Sequence, residues 1–199
     1  MKNKIISEFP QSAFFELDSN PIFVVDFTHR TEKYPADQRK GVEIHSTQPV
    51  NPNNPAQNMP CFIINNPNNT SVLFNIFSDS QFKDANGNYI KHGEGCFFPT
   101  LNDEKSWFCI IEIKDCLKGK VSKYIENVKE KAINMFDFFK KNNLFPNNPV
   151  YFIASFPRKL DLDQTIFDNY VELKKHKKTY VIASNSMVVE NNRIIYFGS

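Results

Sequence analysis

Three charged residues in otherwise apolar surroundings could do chemistry. Glu112 and Lys114 close the run 106–114 (SWFCIIEIK), and Glu94 lies eighteen residues upstream in HGEGCFFPT. As a strand, the run puts Phe108, Ile110, Glu112 and Lys114 on one face, and Ile111 and Ile113 on the other. A carboxylate and an ammonium at the end of an apolar strand are expensive to bury unless each has a partner. They pair with each other, or both serve a ligand. Glycines flank Glu94 on both sides, so backbone or ligand can come close there. A hairpin from 96, through the polar turn LNDEK, to the 106–114 strand brings Glu94 near Glu112. Two carboxylates and a lysine then converge.

The elements needed to position them are legible as patterns. Residues 21–27 (PIFVVDF), 71–77 and 150–156 read as strands, and 106–114 as the best strand, central rather than at an edge. Residues 84–88 (DANGN) read as a turn, and 89–99 as a returning strand broken near Gly93 and Gly95. Apolar positions Val121, Tyr124, Ile125, Val128, Ala132, Met135, Phe136 and Phe139 recur at three and four, predicting a helix over 122–142. Strand, helix, strand predicts parallel 106–114 and 150–156 strands. Residues 12–17 read as a helical turn and 163–174 as a second helix. Residues 179–184 and 193–197 read as two strands joined across 190–192. The Asn- and Pro-rich stretch 48–69 reads as a surface excursion around one short strand at 61–64.

The fold class is α/β, with a mixed sheet flanked by helices, in a single domain spanning 1–199. That length suits one domain with a real core. Apolar residues make up 41% and charged residues 23%, which excludes a disordered chain. The net charge of +2 neither demands nor excludes nucleic acid. No secretory signal pattern and no membrane-length apolar run is found, so a cytoplasmic location is expected. Cys61, Cys96, Cys109 and Cys116 lack zinc spacing and read as buried free thiols. The four histidines read as surface residues. No phosphate-binding loop, dinucleotide-binding glycine pattern or nucleophile elbow is found.

The pattern Glu94-Gly-(apolar)3-Pro, a short loop, then apolar-Glu112-apolar-Lys114 resembles the core of the PD-(D/E)xK nuclease superfamily. Its layout is also similar to that of a group of short uncharacterised bacterial proteins. The resemblance covers 89–156 and implies a restriction-endonuclease-like core. It further implies a metal-dependent nuclease in which Glu94 and Glu112 bind Mg²⁺ or Mn²⁺ and Lys114 orients water or offsets charge. Nucleic acid, DNA first, is the implied partner, with a homodimer admitted and no membrane. The first acid is Glu where the family pattern has Asp, which moves its oxygens by about one bond length. Lys131 sits on the apolar helix stripe and either reaches a phosphate or snorkels to water. Asp115 points away from Lys114 and is given no role. The basic run 174–178 either touches phosphate or is a solvated face. The bland alternatives are a structural Glu112–Lys114 ion pair, with Glu94 a turn residue, and a nuclease-like fold without catalysis that binds partners, in host defence for example.

Overall fold

Phe108–Ile113 is buried at every position, as a strand with apolar neighbours on both faces must be. It lies inside the larger of two main sheets. The computed structural model describes residues 2–9, 14–84, 86–116, 121–144, 147–159, 164, 167 and 178–198. In chain order the helices are α1 (Lys2–Glu8), α2 (Thr28–Thr31) and α3 (Ser122–Lys141). The strands are β1 (Phe14–Leu17), β2 (Ile22–Asp26), β3 (Val42–His45), β4 (Val50–Asn51), β5 (Asn54–Asn58), β6 (Phe62–Asn65) and β7 (Val72–Ile76). They continue with β8 (Gly95–Pro99), β9 (Phe108–Ile113), β10 (Val150–Ser155), β11 (Thr179–Ala183), β12 (Ser186–Val189) and β13 (Ile195–Phe197). The fold is α/β with mixed sheets.

The first sheet runs β1-β7-β8-β9-β10-β11. Its first four strands pair antiparallel, while β9, β10 and β11 pair parallel. β9 is therefore interior, and α3 makes the crossover to its parallel neighbour β10, as the sequence pattern predicts. Val128, Ala132, Met135, Phe136 and Phe139 form the buried stripe of α3. Phe139 meets Phe108 edge-on with centroids 5.4 Å apart, so α3 covers the face of β9 that carries Phe108. Each large side chain buried in this way stabilises by about 1.5–3 kcal/mol. The helix stops at Asn142, and Asn143 takes a positive φ of 50°.

The second sheet runs β13-β12-β6-β2-β3. Ile22 and Val24 of β2 enter the main core, while Phe23, Val25 and Phe27 build a second core with Met59 and Cys61. The short strand expected at 61–64 is β6, which joins this sheet. The rest of the Asn- and Pro-rich stretch departs from a plain loop, forming a β4–β5 hairpin and supplying Met59 and Cys61 as cover for the outer face of β2. Asn54–Asn58 remain exposed throughout, which is why the composition reads as loop.

Three other differences have local causes. Residues 14–17 form β1, not a helical turn, because Phe14–Leu17 pair with β7. The hairpin across 190–192 joins β12 to β13, not the 179–184 strand, which leaves to pair with β10 in the other sheet. The returning strand is shorter than 89–99, beginning at Gly95 after one bridge between Lys83 and Tyr89. The expected helix at 163–174 and most of the basic run 174–178 lie outside the described residues. All four cysteines are free and buried.

Candidate functional site

The β8–β9 hairpin positions the acids. Gly95 pairs with Ile111 and Cys96 with Ile110, so Glu94 falls opposite Glu112. The Glu94 amide donates to the Ile111 carbonyl at 2.8 Å, and the Glu94 carbonyl accepts from Phe77 at 2.9 Å. Its flanking glycines are demanded by close approach. A Cβ on Gly95 would lie 2.5 Å from the Asn75 carbonyl oxygen, and one on Gly93 only 2.8 Å from Ile110 Cγ2. Glu94 is therefore wedged into the sheet margin between the Asn75 backbone and the Ile110 side chain.

Four side chains meet at this point. Lys114 Nζ lies 2.5 Å from Glu94 Oε1 and 3.4 Å from Glu112 Oε1. Lys131 Nζ, arriving from α3, lies 2.8 Å from each oxygen of Glu112. Side-chain exposure rises from 1% at Glu112 through 14% at Lys131 and 19% at Lys114 to 28% at Glu94, so solvent reaches the cluster from the Glu94 side. Burial lifts the Glu112 carboxyl above its ordinary range; Lys114 opposes the rise and Glu94 adds to it. Burial disfavours the Lys114 charge, but Glu112 and Glu94 outweigh it, and its pKa is raised. Lys114 is accordingly a fixed cation.

The structure brings Glu94, Glu112, Lys114 and Lys131 together. Neither sequence reading of Lys131 named its position: its head group is held on Glu112, not in water. Asp115 does point away from Lys114, as the alternation requires, yet it has partners. Its buried carboxylate accepts Arg30 Nε at 3.0 Å, Arg158 Nε, and Arg158 Nη2 at 3.0 Å. Burial lifts its pKa, with Arg30 opposing. Asp26, ending β2, is 1% exposed. Its Oδ1 accepts the Thr28 amide at 2.8 Å, and its Oδ2 has no hydrogen-bond partner among the described residues. Its charge is felt by both Lys114 and Asp115.

Sequence reasoning missed Asp26, Arg30, Asp115 and Arg158. Asp26 carries the same signal as Glu112, a carboxylate ending an apolar run. The arginines carry no local signal, because their partner lies 85 and 43 residues away. Among the described residues, no three His, Cys, Asp or Glu side chains group as a metal centre, and no helix is long and apolar enough to cross a membrane. Comparison of the chain with family models, curated proteins and solved structures found no match.

Proposed function

We propose that this chain is a metal-dependent phosphodiesterase acting on nucleic acid, DNA in the first instance, at Glu94, Glu112 and Lys114. The observation that carries the reading is one ammonium, Lys114 Nζ, within 3.4 Å of two carboxylates, Glu112 on β9 and Glu94 just before the adjacent β8. A nitrogen cation already stands where a compact cation would be shared. The donors are hard carboxylate oxygens, which suits Mg²⁺ or Mn²⁺ and leaves positions for water. The hairpin β8–β9, the crossover α3 and the parallel strand β10 support the restriction-endonuclease-like core that the resemblance implies.

When bound, the metal would offset charge on the phosphate and acidify a water. Glu112, deep and fixed by the sheet, sets the position of the pair, and Glu94 faces the entrance. Lys114 stays protonated, which suits it to stabilise developing charge, not to take a proton. Lys131 neutralises Glu112, and its head group is free for phosphate once a cation takes those oxygens. Four free cysteines fit a reducing cytoplasm.

One observation favours a second reading, a nuclease-like domain that binds without cleaving: Lys131 occupies both Glu112 oxygens. Calorimetry with Mn²⁺ on the wild type and Glu112→Gln, beside plasmid and RNA cleavage in Mg²⁺, decides between them. Metal binding lost in the variant, with cleavage by the wild type, is the expected result. Equal heats in both proteins and no cleavage would leave the binding reading.

A further inference from the structure

We propose that Arg30 and Arg158 form a phosphate clamp for a nucleic-acid backbone, anchored by Asp115 beside the Lys114 cluster. The proposal rests on the nucleic-acid part of the reading above and not on cleavage.

Three strand ends place the clamp. Arg30 follows β2, Asp115 follows β9 and Arg158 follows β10. β9 and β10 are parallel, so the last two come from the same end of the sheet. The region beyond the carboxyl ends of parallel strands is where α/β sheets take ligands.

The charges are layered. Asp26 and Asp115 are buried, at 1% and 7% exposure, while the Arg30 and Arg158 side chains are 25% and 27% exposed. Acids form the floor and guanidinium groups the rim. On the segment after Arg30, exposed Lys33, Arg39 and Lys40 outnumber exposed Glu32 and Asp37 by one charge. With Arg30 and Arg158 the rim is net positive, and a rim of this sign concentrates anions.

Donors are left over. Arg30 gives Asp115 its Nε alone, and Arg158 gives Nε and Nη2. Among the described residues, both Nη groups of Arg30 and Nη1 of Arg158 have no protein acceptor. A phosphate takes such forks in bidentate fashion, and forks already held by a carboxylate lose less freedom on binding. The Arg30 backbone is pinned as well, its carbonyl accepting Asn53 Nδ2 at 2.8 Å.

The test is fluorescence anisotropy of labelled single-stranded and duplex oligonucleotides in EDTA, across salt concentrations, with melting of each protein. Arg30→Gln and Arg158→Gln should each weaken binding about tenfold and lower the salt slope by roughly 0.7–0.9, one phosphate contact apiece. Arg158→Lys should keep the slope yet lose affinity, since charge remains and the fork does not. Unchanged affinity and slope with a lower melting temperature would make the triad purely structural and overturn the clamp. So would a wild type that binds neither oligonucleotide. Inorganic phosphate that competes fully, with no dependence on oligonucleotide length, would overturn the backbone assignment. Binding with the predicted losses but no wild-type cleavage would uphold the clamp and defeat the hydrolytic reading.

Discussion

Two charge clusters sit one residue apart on the chain and are built on opposite terms. Around Glu112, two lysines meet two carboxylates. Around Asp115, two arginines meet one carboxylate. An ammonium is a compact point charge that a divalent cation can replace, whereas a guanidinium fork is planar, permanently charged and directional. The lysine cluster is therefore suited to exchange its cations, and the arginine cluster to hold its shape. Alternation along β9 and its continuation separates them: Lys114 turns to the α3 face and Asp115 to the β2 side.

The largest expected effect belongs to the lysine cluster. Glu112→Gln should abolish Mn²⁺ binding and cleavage, and retained heats would erase the distinction between the two clusters. Lys114→Met should slow cleavage by about 10²-fold, the scale of losing one preorganised donor. Its melting temperature should fall by no more than about 4 °C, because Glu112 keeps Lys131. A large melting loss without a rate change would make the pair structural. The pH dependence follows from the raised Lys114 pKa. Its stabilising charge is fully present below the ordinary 10.5 and is lost as pH rises through the folded value. The wild-type rate should thus show no alkaline limb from Lys114 below about pH 10.

The smallest effect sharpens the comparison most. Lys131→Met removes the competitor for both Glu112 oxygens and should tighten Mn²⁺ binding. The Glu112 carboxyl, already raised by burial, then rises further. The gain should be largest at alkaline pH and fade toward acid, where the proton competes. Stability should fall by roughly 1–3 kcal/mol. Weaker Mn²⁺ binding at alkaline pH would mean that Lys131 supports the site and does not compete for it.

Much of this was legible in the sequence where the signal was local. β9, α3 and β10 show clean periodicity, and the Glu94 glycines mark a close approach. Phe14–Leu17 was misread because pairing with a distant strand overrode a weak local pattern. In 48–69 the short strand was legible, but the β4–β5 hairpin and the cover over β2 were not, because the composition describes the exposed β5 and not Met59 and Cys61. Arg30 and Arg158 became visible through tertiary contact alone, since Asp115 has no periodic relation to either.

The spacing along the chain also orders how the two clusters form. Glu94 and Lys114 are 20 residues apart and close with a hairpin, while Arg30 and Asp115 are 85 apart. Loop-closure entropy penalises the second contact more, and it needs the two sheets docked. The hairpin cluster is expected to belong to the folding nucleus and the arginine cluster to the final docking. Conservative substitutions at β8 and β9 should then slow folding, whereas Arg30→Gln should chiefly speed unfolding, and the reverse pattern in stopped-flow kinetics would refute that order. A chain that has already assembled its lysine cluster would still lack its clamp.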